Sequence, residues 1–376
     1  MKTAAAKILV ALIRIIFFFM KPLKIKNKVS MFSRQSNTLS GDFRIIKNWI
    51  ENERPNTEIC IMVKMIEGHA LSYPFHIIRQ LYHIATSRLV IIDGYCIAAS
   101  CLDHKEETKV IQIWHAQAAI KRFGWQTVGR EGGSSEKVAR LMKMHHGYDY
   151  VVSPSDITSQ HFCEAFRSDH SRIVKYGLPR IDYIKSVAAG DRHDETQSSI
   201  LSEYPQLNNS KKTVLYAPTF RRGKAVDVKS LIDAFDAEKY NVVVKLHPLY
   251  RGDASEAAEA RSNVIYDESF SSYDWLSVAD IIISDYSSFV IESALADKPL
   301  YIYAYDLEDY KSNTGLNIDF AAESIAPYVF RNADELAAAA GRDDYDVNAL
   351  HAFRDRYIDI DAENCTAALA DFIESL

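Results

Sequence analysis

Apolar residues recur along this chain in two rhythms. Short apolar runs that end in turn residues predict buried strands: KVSMF (Lys28–Phe32), EICIMVKMI (Glu58–Ile66), RLVIIDGY (Arg88–Tyr95), KVIQIWH (Lys109–His115), YDYVVSPSD (Tyr148–Asp156) and RIVKYGLPR (Arg172–Arg180). Between them FRIIKNWIEN, HIIRQLYHIAT and ITSQHFCEAF space their apolar residues for helices, the last capped by a Ser-Pro-Ser turn. A second series follows in KTVLYAP, NVVVKLHP, NVIYDE, ADIIISD and KPLYIYAYD, again alternating with helical patterns. Strand–helix alternation in two separate halves predicts an α/β protein of two Rossmann-like parallel-sheet domains facing a cleft.

The stretch from Ala188 to Ser210 is rich in Gly, Ser, Asp and Asn and reads as the linker. The expected division is a membrane-associating segment over 1–27, an acceptor-side domain over 28–200 and a nucleotide-donor domain over 201–345. Helices over 346–376 would pack back on the first domain.

ILVALIRIIFFFM (Ile8–Met20) is apolar apart from Arg14 and is followed by KPLKIKNK. Thirteen helical residues reach about 20 Å, short of the ~30 Å hydrocarbon layer. The segment therefore predicts an in-plane membrane anchor, its lysines meeting anionic head groups. A helix buried against protein is the other reading that the pattern allows.

Length and charge sharpen this picture. The chain has 376 residues, enough for two domains, and a net charge of −6 that gives no argument for nucleic-acid binding. Residues 1–30 hold seven cations and no acid, which leaves the rest at −13. Five cysteines without a CxxC pair argue against a disulfide scaffold or a zinc site and fit a reducing cytosol.

Ligands of parallel sheets sit beyond the carboxyl ends of the strands, so strand-end residues carry the candidate chemistry. Asp285-Tyr286-Ser287-Ser288 follows a buried strand and opens a helix, an arrangement suited to phosphate; plain N-capping explains it equally well. Glu292, further into that helix, could accept ribose or polyol hydroxyls, or be a solvated acid. Thr219, Arg221 and Arg222 follow LYAP and suit phosphate contacts, or form a solvated basic turn. His115 and His247 each end a strand, one in each half, and could serve one cleft as base and phosphate ligand. His145 and His146 read as structural or exposed. No HExxH, GxSxG or Walker loop occurs, so no protein metal site is expected; a divalent cation such as Mg²⁺ could accompany a donor.

The ordered series WHAQAAIKRFG, DYVVSPSDITSQHFCEAF, YGLPRIDYI, LYAPTFRR, VVVKLHP and SDYSSFVIESALADKPLYIYAYDLEDY resembles the CDP-glycerol glycerophosphotransferase family of teichoic acid primases and polymerases, from about Lys28 to about Phe320. The resemblance implies a GT-B-type fold at the cytoplasmic face of a bacterial membrane. It also implies transfer of a polyol phosphate, glycerol phosphate first among candidates, from a CDP-polyol to a lipid-linked or polymer acceptor. An acceptor hydroxyl would attack the β-phosphorus and CMP would leave. By the resemblance His115 is the general base, His247 supports the pyrophosphate and Ser287–Ser288 bind phosphate, while Pro179 and Arg180 join the substrate residues. The family's WHGT reads Trp114-His115-Ala116-Gln117 here, and its Arg-Gly pair reads Thr314-Gly315. A nucleotide-sugar glycosyltransferase for capsule polysaccharide and an inactive membrane-bound assembly protein are the alternatives.

Overall fold

The computed structural model describes the chain except for residues 1, 67–68, 70–71, 131–132, 220, 222–225, 247–260 and 361–362. It contains two compact units, Met1–Arg180 with Asp359–Leu376, and Ile181–Ile358.

The first unit is built on a six-stranded parallel sheet: β1 (Lys26–Ser33), β2 (Glu58–Val63), β3 (Ser87–Ile92), β4 (Lys109–Gln112), β5 (Tyr150–Ser153) and β6 (Ile173–Lys175), in the order β2-β1-β3-β4-β5-β6. Its central strands are buried on both faces, as parallel sheets require. Alternate residues divide between two cores. Val29, Met31, Leu89 and Ile91 pack with Phe43, Ile46 and Ile50 of α2 (Gly41–Glu53) and with Leu369 and Ile373 of the helix Cys365–Glu374. Phe32, Val90 and Ile92 pack on the other face with Ile77, Leu81 and Ile84 of α3 (Tyr73–Thr86) and with Val10, Ile13 and Phe17 of α1 (Lys2–Met20).

The second unit repeats the plan with a different order. Strands β7 (Lys212–Tyr216), β8 (Tyr240–Val244), β9 (Val264–Tyr266), β10 (Ile281–Ser284), β11 (Leu300–Tyr303) and β12 (Val329–Phe330) run parallel as β12-β11-β10-β7-β8-β9. Each sheet therefore reverses its strand order once, between β1 and β3 in the first and between β7 and β10 in the second. Such switch points open a crevice at the carboxyl ends of the strands.

Three features differ from the expected pattern. The stretch read as a linker contains a helix, His193–Glu203, and the units divide at Arg180 instead. Its polar composition marks an exposed helix whose one fully buried apolar anchor is Ile200. Likewise Val347–Tyr357 stays with the second unit; the chain rejoins the first at Asp359, whose N–H donates to Pro154 O (2.9 Å) and whose carboxylate pairs with Lys175 (2.7 Å). Finally, α1 is 19 residues long, about 28 Å at ~1.5 Å per residue, so its length alone does not exclude a membrane span.

Candidate active site

The strand bearing His115 ends earlier than its sequence suggests. β4 stops at Gln112, and Trp114 adopts a left-handed conformation (φ +56°) that is costly for a bulky residue. Gln112 holds this turn: its Oε1 accepts from Trp114 N (2.9 Å) and its Nε2 donates to Gly94 O (3.1 Å). The Trp114 ring stacks on Phe123 at 4.2 Å and lies 4.2 Å from the ring of His115. The local strain thus serves to turn the chain and aim the histidine.

His115 Nδ1 lies 2.9 Å from the carbonyl oxygen of Asp93. A carbonyl only accepts, so Nδ1 carries the hydrogen and Nε2 keeps its lone pair. The histidine's own carbonyl accepts from Arg180 Nη1 (3.0 Å). Arg180 is anchored in turn on Asp42, whose carboxylate takes its N–H (2.9 Å), its Nε (2.7 Å) and its Nη2. Protein packed about the ring disfavours the imidazolium, and Arg180, Lys121 and Arg34 oppose it further, so the pKa of His115 drops to about 4. The residue is open to solvent on one side, and the three cations alone give the same direction. A histidine that is neutral at ordinary pH with Nε2 available is a base.

At the second switch point the arrangement is denser. Asp285 follows β10 and is fully buried; its carboxylate accepts from Thr219 N (2.9 and 3.0 Å), Tyr286 N (2.6 Å) and Arg221 Nη1 (2.7 Å). Arg221 also donates to both oxygens of Asp306 (2.9 and 3.0 Å) and lies over the rings of Tyr286, Tyr305 and Tyr310. Burial opposes its charge, but Asp285 and Asp306 outweigh it and hold its pKa well above the usual range. Among the described residues Arg221 is thus held by two carboxylates and three tyrosine rings. Glu292 is buried and accepts from the Tyr273 hydroxyl (2.5 Å), so it is not a solvated acid.

Ser287 and Ser288 are half-buried at the start of a short helix, Phe289–Ser293. Ser287 Oγ accepts from Phe289 N (3.3 Å), whereas Ser288 makes no side-chain capping bond. Plain capping therefore accounts for one serine and not the other. Thr219 Oγ1 is buried without a partner among the described residues.

Within the first unit the structure brings together His115 and Arg180, with Pro179 buried just ahead of the helix Arg180–Ala189. Within the second it brings together Thr219, Arg221, Asp285, Ser287 and Ser288. His247 and Arg222 lie outside the described residues. His145 is structural: buried, bonded to the Tyr148 hydroxyl (2.9 Å) and packed on Phe166. Sequence reasoning passed over Asp42, Asp93 and Asp306. The signal for two of them was visible, since Asp93 and Asp306 each sit just past an apolar strand, as Asp285 does.

Comparison with known proteins bears on what this site serves. The family model described as "CDP-Glycerol:Poly(glycerophosphate) glycerophosphotransferase" matches residues 13–375. The chain belongs to this family. The match extends beyond both ends of the motif series in the sequence. Among relatives, the teichoic acid ribitol-phosphate primase of Bacillus spizizenii is 31% identical, over 93% of this chain and 91% of the relative. The teichoic acid glycerol-phosphate primase of Bacillus subtilis is 29% identical, over 81% and 77%. Among solved structures, the wall teichoic acid polymerase TagF shares the fold with a TM-score of 0.73 at 21% identity, over 93% of this chain and 89% of that one. The family thus has the expected class, two parallel-sheet α/β units of GT-B type.

Proposed function

We propose that this protein is a teichoic acid transferase that moves a polyol phosphate from a CDP-polyol to an acceptor hydroxyl and releases CMP. Family membership supports the reaction class. The observation that carries the mechanism is His115, fixed as the Nδ1–H tautomer with Nε2 available and neutral across ordinary pH. His115 takes the proton of the attacking hydroxyl. Ser287, Ser288 and the loop held by Asp285 and Arg221 receive the donor phosphates, with His247 added on the resemblance. Arg180 keeps His115 in place. A divalent cation such as Mg²⁺ would arrive with the donor's diphosphate. The relatives include both ribitol- and glycerol-phosphate enzymes, so the polyol is for a donor screen to settle. CMP release from CDP-glycerol and CDP-ribitol, with a lipid-linked acceptor, is the test. His115→Ala should lower turnover by ~10²–10⁴ with the fold intact; undiminished turnover removes His115 as the base.

The same proposal includes in-plane attachment to the cytoplasmic face of the membrane. Packing now supports this, since length does not. Val10, Ile13 and Phe17 of α1 are buried in the first unit's core, and Arg14 Nε donates to Cys101 O (3.2 Å). A helix held to a globular core through Val10, Ile13 and Phe17 is poorly placed to cross a bilayer. Ile8, Leu12, Ile15, Phe18 and Phe19 face outward. Replacing Phe18 and Phe19 by Ser should weaken flotation with anionic vesicles by about ten-fold or more; unchanged flotation would count against attachment through α1.

A further inference from the structure

Asp93 stands just past β3 at the switch point of the first sheet, and the reaction outlined above gives it no task. The residue is 2% exposed, and its Oδ1 is buried without a hydrogen-bond partner among the described residues. Native proteins rarely leave a buried carboxyl oxygen unpaired, because desolvation is then uncompensated. The groups around it are few. From β1 the nearby Ser33 hydroxyl favours the anion; Asp42 of α2 opposes its charge, and Arg180, the cation that favours it, is committed to Asp42. Arg34 lines the same small recess, with Tyr73 and Gln80 of α3, Tyr95 and Cys96. That recess has room for about one water-sized group.

The backbone of this same residue holds His115 through the 2.9 Å bond to Nδ1. Covalent geometry then keeps the Asp93 carboxyl within about 7 Å of that ring nitrogen. The charges that weigh most on His115 are positive: Arg180, Lys121 and Arg34. Taking a proton at Nε2 would place one more cation among them. Asp42 is already matched by Arg180, which leaves Asp93 as the carboxyl able to answer that charge.

We propose that Asp93, as a carboxylate, is the counter-charge of His115: the acceptor's O–H proton passes to His115 Nε2 and the Asp93 anion offsets the imidazolium so formed. The proton leaves later to solvent from Nε2, and Asp93 exchanges none in the step. Asp93 acts through His115 and is a positioning residue. This rests on the reading of His115 as the base.

Burial raises the Asp93 pKa to about 7, with Asp42 adding to it and Ser33 and Arg180 working against it. The counter-charge is therefore absent at acid pH and present at alkaline pH. Arg180, Lys121 and Arg34 hold the His115 pKa below the usual histidine range, so its own titration lies at lower pH than a climb near 7. The experiment follows single-turnover CMP release by the full-length protein from about pH 5.5 to 8.5, with the CDP-polyol that the parent protein uses and a lipid-linked acceptor. The parent rate should climb through about pH 7. Asp93→Asn keeps the backbone carbonyl; it should abolish the climb and lose on the order of ten-fold to a hundred-fold at pH 8, with little change at pH 6 and the same donor KM. Ser33→Ala removes the hydroxyl that favours the anion and should move the climb to higher pH. If Asp93→Asn keeps the parent's profile, or loses rate equally at every pH, the proposal is overturned. Should that variant not fold, an unmoved profile in Ser33→Ala overturns it equally. His115→Ala separates the layers: turnover retained there refutes the base beneath, whereas a dead His115→Ala with a parent-like Asp93→Asn refutes Asp93 alone.

Discussion

The two switch points place the same residue type in opposite electrostatic settings. Asp285, past β10, is met by two backbone N–H groups and by the guanidinium of Arg221, and no oxygen is left over. Asp93, past β3, has the Ser33 hydroxyl nearby to favour its charge and keeps one oxygen unpaired among the described residues. One aspartate has both oxygens paired and fixes a loop. The other is held near its titration point beside the histidine that needs a countercharge. Strand-end position alone thus does not define a role; the number of donors that meet the carboxylate does.

The largest effect expected from disturbing this contrast is at Arg221. Arg221→Met keeps most of the side-chain volume and removes the cation shared by Asp285 and Asp306. The buried carboxylates are then uncompensated, and a loss of about 3–5 kcal/mol is expected by urea unfolding near pH 7. A change below about 1 kcal/mol would mean that the backbone donors alone hold Asp285.

Much of this molecule was legible from its sequence, for reasons that can be named. The strands stood out because a parallel sheet covered on both faces demands unbroken apolar runs, as in LVII of β3 and IIIS of β10. The Ser155 cap stood out because its chemistry is local: its Oγ accepts from Thr158 N at 3.2 Å. Strand β12, two residues long, is too short to leave a pattern. The helix His193–Glu203 is too polar to be told from a linker. In the site, the histidine was visible but its support was not. Arg180 meets Asp42 across 138 residues, and Arg221 meets Asp306 across 85. Read alone, Arg221 is an exposed basic turn or a phosphate ligand; only the fold supplies the two acids and three tyrosines that enclose it.

A smaller effect, opposite in sign, tests the other half of the contrast. The Asp93 pKa is raised from the usual carboxylate range to about 7. Below pH ~4 the carboxyl is protonated both folded and unfolded, and it does not make stability depend on pH. As pH rises, the unfolded chain ionises first while the folded one still holds its proton, so stability falls until the folded group also ionises near pH 7. Beyond that point the fold carries the full cost of a poorly paired buried anion. Asp93→Asn removes that cost and should stabilise the protein by about 2–4 kcal/mol at pH 8, and by far less near pH 4. Thermal or urea unfolding at the two pH values measures the difference. The gain in stability should accompany the loss in transfer rate, because the charge that strains the fold is the charge that His115 uses. An Asp93→Asn protein that is less stable at pH 8 than its parent would place Asp93 with Asp285, as a paired structural carboxylate.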